Sequence, residues 1–134
     1  MSLLGKVFAS FGVGNAKVNT HLEYSQYRIG DEVRGVVHIQ GGNVEQEIDE
    51  IYLYLLTTHT GGQEQADKEI ARVRLTESFK VLENQEKEIP FSFILPETTP
   101  ITGNGRIVWV HTGLDIDNAV DPTDNDRITV LPAL

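Results

Sequence analysis

Tyr27-Arg28-Ile29-Gly30-Asp31-Glu32-Val33-Arg34-Gly35-Val36-Val37-His38-Ile39-Gln40-Gly41-Gly42 contains the pattern by which the rest of the chain can be read. Val33, Gly35, Val37 and Ile39 alternate with Arg34, Val36, His38 and Gln40. That period of two belongs to a strand with one buried face. The strand is bracketed by turns. Tyr27 to Glu32 reads as one, with Gly30 supplying the positive φ, and Gly41-Gly42-Asn43 reads as the other.

The same period extends in both directions. Upstream, Val18, Thr20 and Leu22 alternate with Lys17, Asn19, His21 and Glu23. Downstream, Ile48 to His59 is apolar on both sides: Ile51, Leu53 and Leu55 on one, Tyr52, Tyr54 and Leu56 on the other. Such a strand is expected to be central and covered at least partly on both faces. After a turn at Gly61-Gly62-Gln63, residues 71–81 read as one amphipathic strand. Its apolar side is Ala71, Val73, Leu75, Phe79 and Val81; Arg72, Arg74, Thr76, Ser78 and Lys80 form the other. Asn84-Gln85 turns the chain. Ile89, Phe91, Phe93 and Leu95 form the next inward row, and Pro90 within it predicts an edge strand or a bulge, because proline has no N–H for the ladder. Pro96 to Gly105 is a loop. Arg106 to Ile116 is a strand carrying the only tryptophan, Trp109, and Arg127 to Leu131 is a short last strand.

About seven strands with no βαβ alternation predict an all-β fold, an antiparallel immunoglobulin-like β-sandwich over residues 15–134. Residues 1–14 are read separately. Leu4, Val7, Phe8 and Phe11 fall at i, i+3, i+4 and i+7 of a short amphipathic helix that Gly12 and Gly14 end. A helix under about 12 residues is marginal in water, so this apolar face is expected to dock on the domain.

At 134 residues the chain fits one domain large enough to fold without a disulfide or a metal. It has no cysteine, which excludes disulfides, cysteine-ligated zinc, iron–sulfur clusters and thiol catalysis. A net charge of −9 argues against nucleic acid and anionic bilayers as partners, since both demand clustered Lys and Arg. No apolar run approaches the roughly 18 residues of a membrane span. Nothing at the N-terminus reads as a signal peptide and no glycosylation sequon is present, so a cytoplasmic location is expected.

No catalytic constellation emerges. Ser2, Ser10, Ser25, Ser78 and Ser92 all lie outside any G-x-S-x-G elbow. His21, His38, His59 and His111 each sit alone on a strand or strand end, and no zinc-type spacing joins them, although His38 and His111 would be free to converge across a sheet. Gly12-Val13-Gly14 lacks the G-K-[ST] of a phosphate loop and precedes a strand. Arg72, Arg74 and Lys80 are expected to pair with nearby glutamates.

The most unusual segment is 115–126, with Asp115, Asp117, Asp121, Asp124 and Asp126 and no basic residue. An EF-hand is excluded, since Val120 stands where glycine is required and no helix flanks the segment. The first reading is an acidic connection between two strands, its carboxylates capping backbone N–H groups. The alternatives are a surface for a basic protein partner and a cation- or small-ligand-binding loop. No cofactor is expected.

Three segments together resemble a known family: Tyr27 to Ile39 continuing through Gly41-Gly42 to Ile51; Glu88-Ile89-Pro90-Phe91-Ser92-Phe93-Ile94-Leu95-Pro96 with Pro100-Ile101; and Val108-Trp109-Val110-His111-Thr112-Gly113-Leu114-Asp115-Ile116 with Asn118-Ala119-Val120-Asp121-Pro122-Thr123-Asp124. They resemble the bacterial sporulation-control family of the stage-zero M type, in the arrestin-like group. The resemblance implies an arrestin-like sandwich, a cytoplasmic location and a non-catalytic regulatory or adaptor role through protein–protein contact, affecting the onset of sporulation in spore-formers. It also implies two lobes, of which this chain matches the first. The surface left without a second lobe is expected to favour a homodimer.

Overall fold

The computed structural model describes residues 15–59 and 68–134. The helix expected over residues 3–11, with its docking face Leu4, Val7, Phe8 and Phe11, and the glycine turn after it lie outside the described residues, as does the turn at Gly61-Gly62. Within them the chain is all strand and loop. The elements are β1 (Lys17–Leu22), β2 (Gln26–Arg28), β3 (Glu32–Gln40), β4 (Gln46–His59), β5 (Lys68–Arg74), β6 (Phe79–Val81), β7 (Glu86–Ile94), β8 (Arg106–Ile116) and β9 (Thr123–Leu131).

They form two sheets. The small one has the order β1-β3-β7, antiparallel throughout. The large one runs β2-β9-β8-β4-β5, with β6 also on β4. All its pairings are antiparallel except β2 with β9, which is parallel. One core lies between the sheets. Val33, Val37, Ile39 and Phe91 come to it from the small sheet; Ile51, Leu53, Leu55, Val108, Val110, Leu114, Ile128 and Val130 come from the large one. Each such aliphatic side chain stabilises the fold by about 1.5–3 kcal/mol on burial. The alternation read in β3 is thus the alternation between core and solvent. Pro90 sits in β7, an edge strand, opposite Val36.

Three elements depart from the sequence reading. Gln26–Arg28, read as part of a turn, is a strand. Tyr27 is buried, its hydroxyl accepts the Tyr24 N–H at 3.0 Å, and the segment lies along Thr129–Leu131. The turn itself falls later, at Gly30 with φ +92°. Residues 71–81 make two strands rather than one, because β4 bulges between Ile48 and Glu50 and its neighbour breaks opposite that point. The last strand begins at Thr123, four residues earlier than Arg127. The structure therefore has nine strands among the described residues.

Candidate functional site

The early start of β9 divides the acidic segment. Asp115 belongs to β8, Asp124 and Asp126 belong to β9, and only residues 117–122 connect the two strands. Asn118 in that connection adopts φ +61°, a left-handed conformation that asparagine tolerates better than most residues. The first reading of 115–126 as a single acidic connection is corrected accordingly. Its five aspartates go to three different places.

Asp121 is a staple. Its Oδ2 accepts the Tyr52 hydroxyl at 2.9 Å, and its Oδ1 accepts the Ile116 N–H at 3.3 Å. The connection is thereby tied to β4 and to the end of β8. Burial, reinforced by this carboxylate partner, pushes the Tyr52 phenol well above its ordinary range. The connection is held at a third point by a buried amide chain. Asn15 Nδ2 donates to the Val120 carbonyl at 3.3 Å, Gln46 Nε2 donates to Asn15 Oδ1 at 2.7 Å, and Gln46 Oε1 accepts the Ala16 N–H at 2.8 Å.

Asp124 and Asp126 turn inward. Their register partners on β8 are Thr112 and Val110, both fully buried, so both carboxylates sit on the core side of the sheet. Neither belongs to an outward-facing acidic surface. Asp124 Oδ2 accepts the Thr20 N–H of β1 at 2.7 Å.

Asp115 and Asp117 stay together, and Asp49 joins them. One carboxylate oxygen from each lies within 4.8 Å of the others. The bulge in β4 places Asp49 there, since it is the residue left without a β8 partner between Ile48 and Glu50. The crowding shows in the acidities. Contact with Asp117 raises the Asp49 carboxyl, helped by the charges of Asp117, Asp115 and Glu47. Partial burial raises Asp115, with Asp121, Glu50 and Asp117 adding to it. Three carboxylates this close favour a positive charge, whether a metal ion or a partner's ammonium or guanidinium.

Beside this corner the outer face of the large sheet carries a ring cluster. Tyr54 stacks on His111 at 5.9 Å between centroids, and Tyr52 leans on Tyr54 at 5.1 Å. The Arg72 guanidinium lies 5.0 Å above the Tyr54 ring and 5.6 Å above that of Tyr52, a cation–π arrangement. As expected from the sequence, Arg72 and Arg74 pair with a glutamate: both reach Glu50, at 2.7 and 2.9 Å. His111 is in hydrogen-bonding contact with Asn125. His38 is on the outward face of the small sheet, near Glu86 and Glu88, so it and His111 lie on opposite outer surfaces and do not converge. Asp49 and Tyr52 are the residues that sequence reasoning missed at this site. A signal for Asp49 existed: buried Ile48 and Ile51 are three apart, an odd step in a pattern of two.

A family model described as SpoOM protein matches residues 4–134. The sporulation-control protein spo0M of Bacillus subtilis (strain 168) is 41% identical over 134 residues, an alignment taking in 97% of this chain and 52% of that protein. The crystal structure of Spo0M from Bacillus subtilis aligns with a TM-score of 0.81 at 41% identity, over 91% of this chain and 51% of that one. A b-glucosidase, EmGH1 from Erythrobacter marinus, aligns with a TM-score of 0.52 at 11% identity, over 87% of this chain and 15% of the enzyme, and shares the fold alone. The chain spans about half the length of the Bacillus relative. From the family model and that relative, the chain belongs to the SpoOM family.

Proposed function

We propose that this chain is a non-catalytic regulatory protein of the bacterial cytoplasm that acts by binding another protein. The observation that carries the reading is the likeness, across 97% of the chain, to a relative named as a sporulation-control protein. The arrestin-like sandwich implied by the sequence motifs agrees with the two-sheet architecture. No described helix is long and apolar enough to cross a membrane.

The contact surface assigned to this role is the corner of Asp49, Asp115 and Asp117. Its partner is a segment bearing Lys or Arg, whose charge relieves the mutual repulsion of the three carboxylates. The test compares wild type with Asp49→Asn/Asp115→Asn/Asp117→Asn in affinity capture from the source cells at several growth stages. The expected result is a stoichiometric partner retained by wild type and lost by the variant. No partner at any stage overturns the adaptor role, and equal retention overturns the surface. Light scattering over a concentration series checks whether that partner is a second copy.

A cation at the same corner is the competing reading, favoured by the 4.8 Å grouping of carboxylate oxygens. Calorimetry with calcium distinguishes the two. Heat at millimolar calcium that disappears in the triple variant moves the corner from partner contact to ion binding.

A further inference from the structure

Asp124 and Asp126 are two residues apart on the same inward face of β9, and their carboxyls are in hydrogen-bonding contact. Asp126 Oδ2 is buried with no hydrogen-bond donor among the described residues. Two carboxylates can share such a contact only with a proton between them. Asp124 already spends its Oδ2 on the Thr20 N–H of β1, at 2.7 Å. That N–H points away from β3, because β1 is an edge strand of the small sheet and Asp124 lies across the gap in the large one. Beside it the Thr20 and Thr112 hydroxyls meet at 2.6 Å, a second polar link between the sheets. Among the described residues the Thr20–Asp124 and Thr20–Thr112 hydrogen bonds tie β1 to β9 and β8.

We propose that Asp124 and Asp126 form a one-proton latch between the two sheets: with the proton in place Asp126 donates to Asp124 and β1 is fastened to β9, and with the proton gone to solvent the two carboxylates separate and the Thr20 contact loosens. The groups that face the pair set its response. From β8 these are Val110 and Thr112, and from β1 it is Thr20, none of them titratable. On β9 the charged group acting on Asp126 is Asp124 itself. Burial first and the Asp124 charge second raise the Asp126 carboxyl to about 7. The latch therefore works around neutral pH and not in the ordinary carboxyl range.

The test is amide hydrogen exchange at Thr20 in the full chain between pH 6 and 8.5, corrected for the intrinsic rise of exchange with pH. Carbon-13 titration of the Asp126 carboxyl accompanies it. Wild type is expected to lose Thr20 protection by roughly tenfold between pH 6 and 8, following the fraction of Asp126 still protonated. Asp126→Asn, which donates at every pH, is expected to keep that protection flat. Parallel pH dependence in the two proteins overturns the latch. So does an Asp126 carboxyl carbon that titrates near pH 4, and this readout in wild type stands even if the variant does not fold.

Discussion

Gly113 has no side chain because Tyr52 occupies its place. The two are register partners on β8 and β4, and a Cβ built on Gly113 would collide with the Cζ and hydroxyl of Tyr52. The phenol end of the ring covers the glycine, and its hydroxyl donates to Asp121. An aromatic side chain over a cross-strand glycine recovers packing that the glycine alone forfeits. Gly113→Ala is therefore expected to displace the ring and to release Asp121 with it. Overpacking of this kind costs about 1–3 kcal/mol, and loss of a hydrogen bond to a charged acceptor about 1.5–3 kcal/mol. Tyr52→Phe keeps the ring and removes only the bond. Urea denaturation of the single variants and of Gly113→Ala/Tyr52→Phe checks the coupling. The double variant is expected to lose less than the sum of the singles, because both remove the same Asp121 contact.

At the scale of elements, the bulge in β4 organises its surroundings. β5 pairs with residues 52–57 and β6 with residues 46–48, so the neighbouring edge is broken opposite the irregularity at Ile48–Glu50. The break is bridged by residues between the two strands. Leu75 N–H donates to the Ile51 carbonyl at 2.8 Å, and the Thr76 hydroxyl accepts the Ile51 N–H at 3.1 Å. A side chain thus satisfies a backbone donor that the interrupted ladder would leave alone. Thr76→Val is isosteric and removes that acceptor, with an expected cost of about 1–3 kcal/mol, while Thr76→Ser is expected to cost under about 1 kcal/mol. Chemical denaturation of the pair measures it, and equal losses would show that the methyl group matters and the hydroxyl does not. The same region shows what a reader of the sequence can and cannot see. β3 and β8 are legible because Val, Ile and Leu mark the buried face at every inward position but Gly35 and Thr112. β9 is half hidden: Asp124, Asp126, Ile128 and Val130 do alternate with Thr123, Asn125, Arg127 and Thr129, but two inward positions are carboxylates, which a hydrophobic pattern discards. β5 and β6 merge in the sequence because the cause of their separation is in another strand. The candidate site suffers most, since Asp49 lies 66 residues before Asp115 and only the bulge brings them together.

For the whole molecule, placing Asp124 and Asp126 between the sheets gives global stability a dependence on pH opposite to that of a salt-bridged aspartate. In the unfolded chain Asp126 has an ordinary carboxyl value of about 3.9, whereas in the folded chain it is raised to about 7. The folded state then binds the proton more tightly between these two values. By linkage, the contribution of this group is fully present below about pH 4, declines as pH rises, and is gone above about 7. A shift of this size corresponds to about 4 kcal/mol, and partial exposure of the side chain to screening solvent reduces the expectation to roughly 2 kcal/mol. Asp126→Asn cannot lose the proton. Its stability relative to wild type is therefore expected to be near zero at pH 4 and to grow to roughly 2 kcal/mol in favour of the variant at pH 8, with most of the change between pH 5 and 7. Other raised carboxyls, Asp49 and Asp115 among them, bend the absolute curve of both proteins in the same direction. The difference between the two curves isolates Asp126. Thermal denaturation at fixed ionic strength, at half-unit steps of pH, measures that difference, and a variant less stable than wild type throughout this range would mean that the carboxyl is ionised and held by partners other than Asp124.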